Sequence, residues 1–212
     1  MTHIQTYTGK WFSPLDPNPD DIDIVDIAHS LSMLCRYNGH CSRFYSVAEH
    51  SLLVSSVLEQ RHPGNVKLQL MGLLHDSAEA YMADVPGPMK KHMPLYKIYE
   101  WSLLVKILHK FNVIDQLSTW WRDDKWVEVK AVDTGVLYDE ALALMLSHGD
   151  QTWYKTFAPG VLSGTNLDIV GLSPTNVERG FLARFHTLTN GAYKSSEATT
   201  VVMDESNIPN EL

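Results

Sequence analysis

Two imidazoles and two carboxylates stand out in this chain: the adjacent pair His75-Asp76, with His50 upstream and Asp133 downstream. Nitrogen and oxygen donors in this number suit one divalent transition metal. An adjacent His-Asp turns up by chance in many proteins, so its surroundings decide its weight. The run Leu73-Leu74-His75-Asp76-Ser77-Ala78-Glu79 reads as a mostly buried helix carrying three chemically active side chains. Burying such groups costs on the order of 2–7 kcal/mol each unless something satisfies them. A bound metal is the simplest account.

Four protein ligands leave one or two positions open on a five- or six-coordinate ion, where water can sit. Coordination can bring the pKa of that water from about 15.7 to roughly 7. The drop corresponds to roughly 12 kcal/mol, far beyond what one side-chain hydrogen bond supplies. A phosphate ester is the kind of electrophile such a hydroxide attacks. Glu79 shares a helix face with His75, so it could hold the attacking water or pass a proton to the leaving oxygen. Asp84, beside the proline turn that follows, is a second candidate for proton transfer. Lys90 and Lys91 could bind phosphate oxygens, and a guanidinium fork from Arg36 or Arg43 would grip phosphate bidentately.

Helices must bring these residues together. Ser46-Val47-Ala48-Glu49 has the form of a capping box, which predicts a helix from about Val47 to Gln60. Within it His50, Val54 and Val57 share one face, which points His50 at the core. A helix from Gly64 or Asn65 carries His75-Asp76 and ends before Pro86-Gly87-Pro88, read as a fixed turn. Further helices are expected from about Pro94 to Lys110 and from about Asp123 to His148, the second holding Asp133 in its interior. Asp26 is expected to cap a short helix through Ile27, Leu31 and Leu34. Ser173-Pro174 opens a last helix with Val177, Phe181, Leu182 and Phe185 as its apolar stripe. Residues 1–21 read as a loop or short strand anchored by Trp11-Phe12, and residues 150–172 as a looser connection. The expected fold is an all-α helical bundle with an irregular N-terminal segment. It occupies one domain over residues 1–190, followed by a disordered tail at 191–212.

A chain of 212 residues with 44% apolar content can build one domain with a sizeable core. Its net charge of −8 argues against a broad nucleic-acid-binding surface, and Lys90-Lys91-His92 is the longest basic run. One anionic small molecule remains compatible, since a few local cations hold it. Cys35 and Cys41 fit neither a CxxC motif nor a disulfide framework, so reduced thiols are expected. Met1-Thr2-His3-Ile4-Gln5 is unlike a signal peptide, and no apolar run approaches membrane-spanning length. The sequence therefore reads as a soluble cytoplasmic protein without a membrane or nucleic-acid partner.

Three stretches carry a family resemblance. They are Asp26-Ile27-Ala28-His29-Ser30-Leu31-Ser32 through Cys35-Arg36-Tyr37-Asn38-Gly39-His40, then Phe44-Tyr45-Ser46-Val47-Ala48-Glu49-His50-Ser51, and Leu74-His75-Asp76-Ser77-Ala78-Glu79-Ala80-Tyr81-Met82-Ala83-Asp84-Val85-Pro86. The chain resembles the HD-domain metal-dependent phosphohydrolases, nearest the compact 5′-deoxynucleotidases and the phage dATP triphosphohydrolases. The likeness covers about residues 20–145 well and the C-terminal third poorly. It implies a compact HD-domain bundle with His50, His75, Asp76 and Asp133 as metal ligands and Glu79 and Asp84 as catalytic carboxylates. An arginine would bind phosphate, Arg36 ahead of Arg43. Asp139 competes with Asp133 as the last ligand, but Val132-Asp133 follows the apolar helix face more naturally. The implied reaction cleaves the ester between deoxyribose and its 5′-phosphate group. A triphosphohydrolase preferring dATP is the leading expectation and a 5′-deoxynucleotidase the alternative. Lys97 joins the other cations as a partner for a triphosphate tail. Zinc, cobalt, manganese and nickel all tolerate the ligand set, and a second ion such as magnesium could accompany the phosphates. The resemblance also favours a homo-oligomer, with Trp120-Trp121 and Trp126 as seeds of an interface.

Blander accounts exist for each feature. A histidine taken alone is more often a surface or satisfied core residue than a ligand, and His29, His40, His62, His92, His109, His148 and His186 are read so. For the set of four, the rival is a metal-free polar network, which would need every lone pair satisfied. Glu49 is read as structural through the capping box, Lys90-Lys91 could be a solvated loop, and Tyr37, Trp11 and Tyr81 are read as packing before base stacking. A silent module that binds a nucleotide or a partner is the rival of another class. Glu79 and Asp84 argue against it, since binding alone needs no proton-transfer groups.

Overall fold

Strands β1 (Ile4–Gln5) and β2 (Trp11–Phe12) pair antiparallel at the start of the chain, and helices follow. The structure is a computed structural model and describes residues 2–115, 124–146 and 159–193. Its all-α character is as the sequence leads one to expect. The expectations that concern Trp120-Trp121, His148 and the tail from residue 194 onward lie outside the described residues.

Helix α1 (Ile24–Met33) starts a turn earlier than expected, because Asp23 rather than Asp26 caps it and accepts from Val25 N at 3.0 Å. Asp26 instead accepts from Thr8 N at 2.6 Å and Thr8 Oγ1 at 2.9 Å, tying the hairpin to the helix. Helix α2 (Val47–Arg61) begins where the capping box places it, with Ser46 Oγ accepting from Glu49 N at 3.1 Å. Only half of the box forms. The buried Glu49 carboxylate turns away to accept from Gly171 N at 2.9 Å and Leu172 N at 2.8 Å, pinning the segment that leads to the last helix.

Helix α3 (Val66–Leu74) is shorter than expected. It stops at Leu74, residues 75–78 form turns, and helix α4 (Glu79–Met82) resumes the path. Across this break the backbone bonds tighten to i→i+3, with Ser77 N donating to Leu74 O and Glu79 N to Asp76 O, each at 3.0 Å, while His75 keeps helical backbone angles. Pro86-Gly87-Pro88 does more than turn the chain: it opens helix α5 (Gly87–Lys90), since prolines are tolerated in a first turn that has free N–H positions. Helices α6 (Pro94–Lys110), α7 (Asp124–Leu144) and α8 (Pro174–Leu188) complete the order.

Helix α2 is the hub and packs against α1, α3, α7 and α8, while α1 also meets α4 and α8. One buried cluster joins Val54 and Leu58 of α2, Leu73 and Leu74 of α3, Val132 and Val136 of α7 and Phe181 and Phe185 of α8. Gly72 makes the α2–α3 approach possible: a Cβ there would lie 2.4 Å from Leu58 Cδ1. That closeness brings the His50 and His75 rings within 5.2 Å, centroid to centroid. Among the described residues no helix is long and apolar enough to cross a membrane.

Candidate metal centre

Helix α2 supplies His50 from its first turn, the break after α3 supplies His75 and Asp76, and α7 supplies Asp133. Ligand atoms of His50, His75 and Asp76 all lie within 4.8 Å of one another. Asp133 Oδ1 stands 3.0 Å from His50 Nε2 and 3.7 Å from His75 Nε2. Asp76 Oδ2 stands 3.1 Å from His75 Nε2 and 3.9 Å from His50 Nε2. Both imidazoles are buried.

The far nitrogens decide what the near ones can do. His75 Nδ1 lies 2.8 Å from the Gly72 carbonyl oxygen, which only accepts, so Nδ1 carries a proton. His50 Nδ1 lies 2.6 Å from Glu140 Oε1. Burial disfavours charge on Glu140, but Arg36 and His50 outweigh it and hold the carboxyl below its ordinary pKa. Ionised Glu140 only accepts, so His50 Nδ1 is a donor too. With both Nδ1 atoms donating, each Nε2 faces carboxylate oxygens, His50 Nε2 within hydrogen-bond distance of Asp133 Oδ1 at 3.0 Å, so a proton or a metal cation must stand between ring and carboxylate. His75 Nε2 is buried without a hydrogen-bond partner, since its approach to Asp76 lacks hydrogen-bond geometry. The two Nε2 atoms and the two carboxylates form the donor set of a divalent transition metal, and the unpartnered His75 Nε2 shows that the residues fit one.

Without a metal, a proton fills the role. Burial lowers the His75 pKa, but Asp76 and Asp133 more than offset this and raise it to about 10. Burial likewise pushes Asp76 and Asp133 up. His75 overrides it for Asp76, and Lys130 with the two imidazoles for Asp133, so both stay well below the usual carboxylate range.

A closed loop buttresses the centre. Arg36 N donates to Tyr45 O at 2.9 Å and Val47 N to Leu34 O at 3.0 Å. Tyr37 and Asn38 both adopt left-handed backbone, with φ of 56° and 52°, a costly choice for two non-glycine residues. That bend places Tyr37 Oη 3.0 Å from Glu140 Oε2, while Arg36 Nε and Nη2 lie 3.2 Å and 3.1 Å from the same oxygen. Glu140 is fully buried and holds His50, Arg36 and Tyr37 at once. Sequence reasoning missed it. Its place about two turns after Asp133, on the same face of α7, is the signal that could have found it.

A cavity of about 610 Å³ opens beside His75 and Asp76. Glu79, Glu100, Lys90, Lys97 and Lys130 give its walls charge, and Trp101, Trp126 and Leu104 give them apolar surface. The two tryptophans meet edge to face with centroids 5.6 Å apart. Lys90 Nζ bridges Glu79 Oε1 at 2.9 Å and Glu100 Oε1 at 2.7 Å. Glu79 Oε2 is buried with no hydrogen-bond partner. Burial, then Asp76 and Asp84, push the Glu79 pKa well above the usual carboxyl value, with Lys90 opposing. Glu79 thereby keeps a proton it can give away, as a general acid does.

No family model matches the chain. It is 34% identical over 189 residues to the uncharacterized protein YfdR of Escherichia coli strain K12, which covers 89% of this chain and 97% of YfdR. The chain belongs to the YfdR family. A second relative, an uncharacterized protein of Rhodobacter capsulatus, is 43% identical over 86 residues, which is 39% of this chain and 44% of that protein.

In this YfdR-family chain, His50, His75, Asp76, Asp133, Glu79 and Lys90 come together at the centre and its cavity. Arg36 stands 3.8 Å from Asp76, but its guanidinium is engaged by Glu140 rather than open to the cavity. Arg43 is exposed and donates to the Val170 and Ile169 carbonyl oxygens at 2.9 Å and 2.8 Å, so it fastens that segment. Lys91 is exposed and Asp84 half-buried, and neither is part of the cavity wall, although the Asp84 charge reaches Glu79. Asp139 accepts from Val161 N at 2.7 Å and Leu162 N at 2.9 Å, which leaves Asp133 as the carboxylate of α7 at the centre. Tyr81 stacks on Phe12, Trp126 meets Trp101 on the cavity wall, and Cys35 and Cys41 are free thiols with Sγ atoms 3.6 Å apart. Glu100 and Lys130 belong to the cavity and sequence reasoning missed both.

Proposed function

We propose that this chain is a metal-dependent phosphohydrolase cleaving the 5′ phosphoester of deoxynucleotides. The observation that carries the reading is the convergence of His50 Nε2, His75 Nε2, Asp76 and Asp133, with His75 and Asp76 on the wall of a cavity that also holds buried Glu79 and three lysines. A divalent ion held by those four residues would polarise a phosphoryl oxygen and supply hydroxide near neutral pH. The protein's own groups do the rest. Glu140 and Gly72 fix the two rings, Glu79 gives its proton to the departing 5′ oxygen, and Lys90 steadies the Glu79 carboxyl. Trp101, Trp126 and Leu104 offer the base an apolar wall and keep water from the ester.

Sugar and base preference rest on the sequence resemblance to HD-domain phosphohydrolases. The leading version is a dATP triphosphohydrolase releasing deoxyadenosine and triphosphate, acting in the cytoplasm as a homo-oligomer. A 5′-deoxynucleotidase is the second reading, and the charge of the cavity favours it. Among the described wall residues Lys90, Lys97 and Lys130 face the carboxylates of Asp76 and Glu100, with Glu79 holding its proton, a small positive excess that suits a short phosphate better than a long anionic tail.

Hydrolysis of the four dNTPs and four dNMPs with cobalt, manganese or zinc, with products resolved by chromatography, separates these versions. Triphosphate release from dATP ahead of the others supports the first. Orthophosphate from dNMPs with dATP left intact overturns it in favour of the second. Absence of turnover in metal-loaded protein would sink both and point to a silent nucleotide-binding module.

A further inference from the structure

We infer that Lys130 is the phosphate-binding cation of this site, freed for that task when a metal ion takes over its counter-ion. The inference rests on the phosphohydrolase reading above and adds a residue the sequence motifs do not contain.

Elimination narrows the choice. Arg36 is held by the buried Glu140 and Arg43 by two backbone carbonyls. Lys91 is exposed and outside the cavity wall, and Lys90 sits between Glu79 and Glu100. Lys97 lines the cavity from α6, whereas Lys130 stands one helical turn before Asp133 on α7.

Lys130 Nζ donates to Asp133 Oδ2, the outer oxygen of the carboxylate whose Oδ1 faces the two imidazoles. Its side chain is 47% exposed and its ammonium lies 6.0 Å from the centre of the Trp126 ring, so it borders both the metal centre and the cavity. In the metal-free protein the ammonium balances carboxylate charge. A divalent ion at the four ligands would do the same balancing more strongly and at shorter range. The ammonium would then lose much of its hold on Asp133, and a phosphate oxygen entering the cavity would be its best remaining partner. Metal and phosphate binding are therefore coupled, and the coupling is reciprocal. The opposing view makes Lys130 an ordinary surface ion pair spaced i,i+3, which contributes little to anything.

The test uses the full chain loaded with one equivalent of Co²⁺, titrated calorimetrically with inorganic phosphate, for wild type, Lys130→Met and Lys130→Arg. Wild type should bind phosphate only when loaded. Lys130→Met should bind it about tenfold or more weakly, a loss of roughly 1.4 kcal/mol, with Co²⁺ content and visible spectrum unchanged before phosphate is added. Lys130→Arg, which keeps the charge, should recover most of the affinity. On whichever nucleotide the enzyme turns over, Lys130→Met should raise KM more than it lowers kcat. Equal phosphate affinity in the loaded wild type and Lys130→Met overturns the inference, as does a variant that loses Co²⁺ but binds phosphate normally once reloaded. Should loaded wild type show the Lys130-dependent phosphate binding yet hydrolyse no nucleotide, the phosphohydrolase reading fails and the anion site stands. Turnover in wild type with an unchanged KM in Lys130→Met sinks the anion site alone.

Discussion

Glu140 Oε1 lies 2.6 Å from His50 Nδ1, and neither side chain reaches solvent. A carboxylate on the far nitrogen of an imidazole fixes its tautomer and aims the near nitrogen at whatever the centre holds. Glu140→Gln keeps the shape but removes the charge that Arg36 and His50 share. Metal affinity should fall about 10- to 100-fold. The unpaired Arg36 should also cost on the order of 3–5 kcal/mol of stability. Metal titration and denaturant unfolding of the variant check both, and an unchanged affinity would remove Glu140 from the centre.

Gly72 couples packing to the site. A methyl group there would press on Leu58 Cδ1, the end of a fully buried side chain that would have to shift within the core. Gly72→Ala should therefore cost about 1–3 kcal/mol. Because the Gly72 carbonyl also holds His75 Nδ1, metal affinity should fall together with the melting temperature. A variant that loses stability yet binds metal normally would show that this carbonyl does not position the ring.

The proton that His75 holds in the metal-free protein has two consequences. Its pKa rises from 6.5 to about 10 through Asp76 and Asp133, against the effect of burial. A raised folded-state value stabilises the apo protein fully below pH 6.5 and is lost as pH climbs through about 10. Apo protein should therefore lose stability over that window, followed by thermal unfolding. Metal must displace the same proton, so apparent metal affinity should rise with pH across the window and binding should release protons. Calorimetry in buffers of different ionisation enthalpy reads that release directly, and zero release would contradict the proposed ligand set.

Glu79→Gln keeps the side chain's size but has no acidic proton to give. Turnover should drop about 10²- to 10⁴-fold with metal content intact. Asp84 raises the Glu79 pKa through its negative charge. Asp84→Asn should therefore lower that pKa and move the alkaline fall of kcat to lower pH. A pH–rate profile that stays in place would disconnect Asp84 from the acid.

Local chemistry makes much of the helical frame readable in the sequence. Ser46 and Glu49 announced the start of α2, and the face shared by His50, Val54 and Val57 put the imidazole inside. Asp133 was legible because it follows Val132 on an apolar stripe. What escaped depends on segments far apart in the chain. The Glu140 bonds to His50, Arg36 and Tyr37 exist only once α7 packs on α2, and no local pattern encodes that meeting. Arg36, and Arg43 behind it, read as phosphate ligands, yet their partners are Glu140 and the carbonyls of Ile169 and Val170. The break after Leu74 was hidden for a similar reason, since Leu73 to Glu79 has no proline or glycine to interrupt a helix.

Metal content and nucleotide hydrolysis measured on the same samples of wild type and Asp76→Asn test the central claim most directly. Wild type should carry one divalent ion per chain and release deoxynucleoside. Asp76→Asn should lose ion and turnover together while staying folded. Hydrolysis that persists in metal-stripped wild type, or in Asp76→Asn without its ion, would contradict a metal-dependent reaction at His50, His75, Asp76 and Asp133.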